Sequence, residues 1–600
     1  MPHAPGPLLC LAAALTLLAF TACADPVDPV DASVDGGVET DTGIFPDTGP
    51  RDTGVEPDTG VEDDSGVADD AGDPDAGFPD SGADAGSVDA GDGGVGPCNP
   101  NPTGREYISF GTAQNPQTVT FGAGYANSRT VDLDGAYLAA FDELGCFLWL
   151  ANMPASQPSF GGANLTVTPQ GDIYFPIVLN GEISFYDASD ALRHQIVLNP
   201  QPPAEPFTRG AAIVSYDRLG NFRWVKRIGN AATEPAAKGY SVASLELTGG
   251  LIRMAGSVNG ATNGPTDDYE VVFGAGEANE TRVTIGMRYQ FAYVAAFDPA
   301  TGALAQDSVR IDAPVVGATN YQLRHNGRGA GQSATDGSYA LGQLMVGAAG
   351  SYLLNRGQAD ELGFAVTSNF VASFAKRDAT GALAWHRLAG ATAGSMSVFS
   401  SAALADGAVL FSGNGPEQAD FQSAAGVVNL ATGANGYLVR YDALGSIAWL
   451  RSISSRGFSN LFVDEARGAL FAFGSDTGDI TFGLGDADAY TATVGGAYLA
   501  RLDLATGAVL WVTSVDSSTA SFRDLDILGN ELVASVRFDN SATFSPGTPQ
   551  ETAISANFNT WSGMARYDAE TGQLLGVVEL IRHPGTQLND GLNMGGVYEP

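Results

Sequence analysis

One phrase recurs seven times along this 600-residue chain, and it constrains the fold more than any other feature of the sequence. Each copy is an apolar run, then Asp-x-x-Gly or Asp-x-x-Thr-Gly, then a second apolar run. The aligned acids are Asp142, Asp217, Asp298, Asp378, Asp442, Asp503 and Asp568. Successive acids are 75, 81, 80, 64, 61 and 65 residues apart. We therefore expect one supersecondary unit, repeated along most of the chain.

Each phrase predicts a β-hairpin, because its Gly supplies the positive φ that a tight turn needs. The second strand usually carries a tryptophan: Trp149, Trp224, Trp385, Trp449 and Trp511. In the third and seventh copies Gln306 and Gly576 stand near that position. We interpret the seven acids as structural turn acids that accept backbone N–H bonds, since seven equivalent sites do not each need a catalytic acid.

A second, looser hairpin separates the phrases, as in residues 251–276, 468–485 and 530–547. Two hairpins per repeat make four antiparallel strands, the content of one propeller blade. A solitary hairpin of this second type, at 107–124, precedes the first phrase, and none follows the last. The sequence therefore predicts an all-β fold: a seven-bladed β-propeller over residues 98–600, with two-plus-two strand closure in the blade that the chain ends share.

The phrases resemble the bacterial SBBP-type β-propeller repeats of cell-surface proteins, over about residues 105–580. LDLATGAVLW and RDATGALAWH also look like the repeat of quinoprotein dehydrogenases and of an outer-membrane assembly lipoprotein. The quinoprotein resemblance implies a quinone stacked on a disulfide between adjacent Cys, with calcium and an Asp base. No adjacent Cys pair occurs here, so we expect no cofactor and read the repeat as architecture alone.

The N-terminus predicts a lipoprotein signal peptide over residues 1–22. An apolar run from Leu8 to Ala22 ends in Phe20-Thr21-Ala22-Cys23, which resembles a lipobox, so Cys23 is the expected lipid anchor. Phe20 replaces the usual Leu, and the n-region lacks Lys and Arg. The alternative is an ordinary signal peptide that is cut near Ala22 or Ala24.

Residues 23–97 are rich in Asp, Gly and Pro, and from residue 24 to residue 97 they hold 21 acidic side chains and one basic side chain, Arg51. Such a segment cannot bury enough apolar surface to fold, so we interpret it as a disordered tether. The whole chain has a formal net charge of −39 and no cluster of Lys or Arg. This charge makes nucleic acid a poor partner.

Two cysteines remain in the predicted mature domain, Cys98 and Cys146. An even pair in an oxidising compartment suggests a disulfide, and two unpaired thiols are the alternative. His194, His325, His386 and His583 lack the spacing of metal ligands, so no metal site is expected. The sequence contains no nucleophile elbow and no phosphate-binding loop.

These features favour a monomeric protein of the cell envelope, at the outer membrane or cell surface, held there by its lipid. The leading hypothesis is a binding or scaffolding module for an unknown protein or polysaccharide, with no enzyme activity. One alternative is a surface polysaccharide or peptide hydrolase or lyase, with carboxylates at the mouth of the channel. Another is a factor in outer-membrane protein assembly. The sequence identifies no ligand.

Overall fold

The computed structural model describes residue 98 and residues 105–155, 165–168, 170–196, 209–230, 239–259, 268–286, 290–315, 322–324, 328–332, 334, 336–346, 350–366, 371–390, 394–584 and 593–598. All of them belong to one compact unit, Ser87–Pro600. The predicted signal peptide, Cys23 and the tether lie outside the described residues.

The described residues form β-strands and one 3-10 turn at Glu465–Arg467, so the predicted all-β fold class is confirmed. The first strands are β1 (Glu106–Phe121), β2 (Arg129–Asp142), β3 (Phe147–Pro154), β4 (Thr166–Val167), β5 (Ile173–Asn180), β6 (Ile183–Tyr186), β7 (Leu192–Ile196), β8 (Arg209–Tyr216), β9 (Phe222–Asn230), β10 (Gly239–Thr248), β11 (Leu251–Asn259), β12 (Asp268–Phe273), β13 (Thr281–Gly286), β14 (Gln290–Phe297), β15 (Arg310–Pro314), β16 (Gln322–Arg324), β17 (Arg328–Gln332) and β18 (Tyr339–Val346).

The remaining strands are β19 (Gly350–Leu354), β20 (Leu362–Val366), β21 (Val371–Arg377), β22 (Leu383–Gly390), β23 (Ser400–Ala403), β24 (Val409–Asn414), β25 (Asp420–Ser423), β26 (Gly426–Asn429), β27 (Gly436–Tyr441), β28 (Ile447–Ile453), β29 (Asn460–Asp464), β30 (Ala469–Phe482), β31 (Tyr490–Asp503), β32 (Val509–Asp516), β33 (Ser521–Leu528), β34 (Glu531–Phe544), β35 (Thr552–Asp568), β36 (Leu574–Pro584) and β37 (Asn593–Tyr598).

Four strands pair antiparallel in chain order around five of the seven repeated phrases. In the order β29–β30–β31–β32, Leu461 lies opposite Ala472, Leu470 opposite Leu502, and Leu499 opposite Thr513. The same order recurs in β4–β5–β8–β9, β10–β11–β14–β15, β23–β24–β27–β28 and β33–β34–β35–β36, and three strands of it in β18–β21–β22. The core lies within and between these units as clusters of buried apolar side chains.

The sequence predicts that the second, looser hairpin supplies two strands to its own unit only. In the structure it also pairs with the preceding unit. β30 and β31 pair along 14 residues, and their far ends pass beyond their own unit to the preceding one, where Phe482 pairs with Ile453 of β28. Alternation explains this crossing, because Ile480 and Phe482 are buried while Asp479, which precedes them, is exposed and Thr481 between them is half-buried. Phe544 of β34 pairs with Val515 of β32 in the same way.

The chain ends also pair differently from the predicted two-plus-two arrangement. β1 pairs with β2 on both sides of a bulge between Ala113 and Gln117, so it belongs to the unit of the first phrase. The C-terminal strand β37 pairs with the other edge of β1. β1 meets the last phrase only where Thr120 and Phe121 pair with β36. Three N-terminal strands and one C-terminal strand thus share one sheet, because β1 pairs with β2 along almost its whole length and with β37 at its other edge.

We call the strand that follows each turn acid the outermost strand of its unit. Tryptophans of these outermost strands pack on the turn glycines of the next unit. A Cβ added to Gly572 would lie 2.7 Å from the ring of Trp511, so only Gly fits beneath this ring. Equivalent close approaches join Trp149 to Gly220, Trp224 to Gly302, Trp385 to Gly445 and Trp449 to Gly507. In the two copies that lack the tryptophan, Arg310 packs on Gly381 and Val578 on Gly145. These contacts join consecutive units.

Replacement of Trp511 by Ala tests this contact. Trp511 is 9% exposed, so we expect Trp511→Ala to lower the free energy of unfolding by about 3–5 kcal/mol through lost burial and a cavity. The neighbouring Leu510 is 51% exposed, and Leu510→Ala should change the free energy by no more than about 0.5 kcal/mol. Urea unfolding of both variants measures the difference. Equal losses would contradict the packing role of the ring.

Candidate functional site

The seven repeated acids begin the turns between the third and fourth strands of the units. Oδ1 of Asp442 accepts the backbone N–H groups of Leu444 at 2.9 Å and Ser446 at 2.8 Å. Asp142, Asp217 and Asp378 accept bonds of the same pattern. In the longer turns, Asp298, Asp503 and Asp568 each accept both the N–H and the Oγ1–H of a Thr. All of these bonds stay within the acid's own turn.

Cys98 and Cys146 are joined by a disulfide, with their Cα atoms 5.8 Å apart. Cys146 follows the first of these turns, and its backbone N–H donates to Oδ1 of Asp142 at 2.8 Å. The disulfide therefore fixes residue 98 beside a turn of the β2–β3 hairpin. Cys23 lies outside the described residues. The described part of the chain contains no helix long and apolar enough to cross a membrane.

The described histidines lie far apart in the fold. His194 is exposed and stacks on Phe222, with ring centroids 5.8 Å apart. Nε2 of His386 lies 3.0 Å from Oγ of Ser373, and burial lowers the pKa of His386 to about 3. His583 is buried, and His325 lies outside the described residues. Where the structure is described, no group of three or more His, Cys, Asp or Glu side chains is arranged to hold a metal ion.

A polar cleft lies between the β23–β28 unit and the β29–β32 unit. No feature of the sequence predicted this cleft. Its volume is about 540 Å³. Its lining comes from the loop before β23, the ends of β24 and β28, the start of β27 and the crossing part of β30: Ser395, Asn414, Gly415, Pro416, Asn435, Ser454, Ser455, Arg456, Asp476, Thr477, Asp479 and Ile480. It lies at the ends of the strands opposite the turn that begins at Asp442.

The linker 454–457, which follows β28, is held from three directions. Nδ2 of Asn435 donates to the carbonyl of Ser454 at 3.0 Å, and the N–H of Gly457 donates to Oδ1 of Asn414 at 3.0 Å. Oγ of Ser455 donates to a carboxylate oxygen of Asp476 in the next unit. Three of the four linker residues thus have a polar partner, and the fourth is Arg456.

Glycines let the linker lie directly against the strand ends. A Cβ on Gly436 would lie 2.3 Å from the nitrogen of Gly457, and one on Gly457 would lie 2.1 Å from the carbonyl oxygen of Gly413. Substitution of either glycine would therefore displace the linker. The linker is fixed by backbone packing as well as by its hydrogen bonds.

The cleft brings one cationic and two anionic side chains together without pairing them. Arg456 is exposed, Asp476 is half-buried and Asp479 is exposed. Among the described residues Arg456 forms no ion pair within 4.0 Å, whereas the nearby Arg451 lies 2.7 Å from both Asp486 and Asp488. Oδ1 of Asp479 accepts from Oγ1 of Thr493 at 2.6 Å. The arrangement offers a polar molecule a guanidinium carried by a fixed linker, together with separate carboxylates.

No protein-family model and no curated protein matches this chain. Among solved structures, a quinohemoprotein alcohol dehydrogenase from Pseudomonas putida HK5 aligns at a TM-score of 0.25 and 10% identity, over 72% of each chain. The dihydro-heme d1 dehydrogenase NirN aligns at 0.25 and 10% identity, over 81% of this chain and 75% of its own. An ancestral GH74 enzyme aligns at 0.16 and 10% identity, over 82% of this chain and 84% of its own. Likeness at these scores carries no conclusion about this chain.

The half-buried His386 makes stability depend on pH. Its pKa is lowered from 6.5 to about 3, so its contribution to stability is full above pH 6.5 and is lost as pH falls towards 3. We expect the free energy of unfolding to fall over that window with a contribution of up to about 1.4 kcal/mol per pH unit. His386→Gln should flatten this slope, and His194→Gln should not. Urea unfolding from pH 7 to pH 4 compares them, and parallel slopes for wild type and His386→Gln would refute the assignment.

Proposed function

We propose that this protein is a lipid-anchored envelope protein that presents a seven-bladed β-propeller as a binding module. The contacts between units support the ring. Side chains of each outermost strand pack on the turn of the next unit, and the series returns from Val578 of the last phrase to Gly145 of the first. The pairing of β37 with β1 joins the chain ends in the same place. A ring of this kind leaves only short sheet edges to protect.

Hydrogen bonds between neighbouring units support the same arrangement. Nε1 of Trp149 donates to the carbonyl of Arg218 at 3.0 Å, and Nε1 of Trp224 to that of Pro299 at 3.3 Å. Arginines of later outermost strands donate to the same kind of turn: Arg310 to Thr380, Arg387 to Leu444 and Arg451 to Thr506. These bonds orient each unit against the next.

The cleft is the single observation that carries the binding role. Its volume of about 540 Å³ is within the range of small-molecule sites, and its lining places polar and charged side chains around a linker that hydrogen bonds hold in place. It also lies at the strand ends opposite the turns, whereas Cys98 is bonded beside a turn. The predicted tether therefore joins the domain away from the cleft, which leaves the cleft open to a ligand.

Lipid labelling tests the anchor. We expect wild-type protein to incorporate a labelled fatty acid and to sediment with membranes, because the predicted lipid is attached at Cys23. Cys23→Ala should lose both the label and the membrane fraction. Cys10→Ala, within the predicted signal peptide, is the matched control and should behave as wild type. Fatty-acid incorporation in Cys23→Ala would refute the proposed anchor.

Hydrogen exchange tests the binding role. We expect the dialysable fraction of a cell-envelope extract to slow amide exchange in residues 454–457, because a ligand in the cleft would cover this linker. The turn 442–445, at the opposite ends of the strands, provides the internal control and should exchange unchanged. Unchanged exchange at 454–457 in the presence of the extract would reject the cleft as the binding site.

A further inference from the structure

We propose that the cleft binds a small zwitterion, an amino acid or dipeptide that presents its carboxylate to Arg456 and its ammonium group to Asp476 and Asp479. This inference rests on the proposed binding role and names the chemical class of the ligand. The observation behind it is that Arg456, Asp476 and Asp479 line one cavity without forming ion pairs with one another.

Opposite charges on neighbouring side chains normally pair when their chains can reach each other. Asp486 and Asp488 do so, since both bind Arg451. Arg456 is held differently, because its linker is bonded through Ser454, Ser455 and Gly457 to the strands around it. The linker thus fixes the base of the arginine side chain, and within the described part of the chain its guanidinium forms no ion pair with the two aspartates that line the same cleft.

The geometry of a guanidinium suits a carboxylate, which it binds through two parallel N–H bonds. A carboxylate ligand alone would meet repulsion from Asp476 and Asp479. An ammonium group on the same molecule removes that repulsion, since each aspartate then gains an opposite charge. A zwitterion therefore pairs with both the guanidinium and the carboxylates, whereas a simple anion or a simple cation pairs with only one kind of charge.

The other lining groups fit a peptide-like molecule better than a sugar. Asn414 and Asn435 each use one amide atom to hold the linker, and both side chains also line the cleft. The described residues of the cleft lining include no aromatic side chain on which a sugar ring could stack. A cavity of about 540 Å³ accommodates an amino acid or a dipeptide.

Calorimetric titration of the full chain with defined probes tests the inference. The probes are alanine, alanyl-alanine, N-acetylated alanyl-alanine, alanyl-alanine amide and glucose. We expect alanine or alanyl-alanine to bind, and the two blocked dipeptides and glucose to bind more weakly by about tenfold or more, because each blocked end loses a charge-assisted hydrogen bond. Alanine binding without dipeptide binding would identify a free amino acid as the source of the zwitterion.

Variants assign the contacts. Arg456→Ala and Asp479→Asn should each weaken binding of the zwitterion by about tenfold or more, with unchanged urea midpoints because both side chains are exposed. Arg282→Ala, at an exposed arginine of another unit, is the matched control and should bind as wild type. Equal binding of blocked and free dipeptides, unchanged binding by Arg456→Ala, or no binding of any probe overturns the inference.

The outcome also separates this inference from the proposed function. Slowed exchange at 454–457 with the envelope extract, together with no binding of the zwitterions, would reject the ligand class and keep the binding module. No effect of the extract on exchange at 454–457 would reject the cleft as the binding site, and with it the binding role that rests on the cleft.

Discussion

The contact on which the rest of the structure depends is a large side chain of one unit packed on the turn glycine of the next. Trp511 over Gly572 is the clearest instance, since no side chain larger than hydrogen fits at that glycine. The acid that begins each turn fixes its shape from within, through bonds such as that from Leu444 N–H to Asp442. A rigid turn and a large side chain thus provide a repeated contact between units, and one of these contacts, Trp449 on Gly507, joins the two units that line the cleft.

The sequence predicted this joint in part. The spacing of Asp, Gly and Trp within one phrase is local, so the hairpins and their turn acids could be read directly. The partner of each tryptophan lies about 60 to 80 residues further on, and nothing in the local pattern indicates it. The pairing of the long strands could not be predicted for the same reason. β30 contains a Gly-rich stretch that is typical of a turn, yet it pairs with β31 without interruption.

The cleft was missed because its residues belong to five separate segments, none of which contains a motif. Asn414, Asn435 and Gly457 each look like ordinary loop residues in the sequence. One signal was present: both asparagines are followed directly by Gly at a strand boundary, which is typical of close backbone approach. Only the three-dimensional structure shows that these boundaries meet at a single linker, and that an exposed arginine stands on it.

The disulfide has a mechanical consequence. Because Cys98 is bonded to Cys146, tension on the segment before residue 98 passes through a covalent bond into the β2–β3 hairpin. It bypasses β1, whose hydrogen bonds to β2 and β37 would otherwise be pulled apart one after another. Shear at a surface would therefore load the domain as a whole rather than unzip its first strand, and reduction of this one bond would transfer that load to β1.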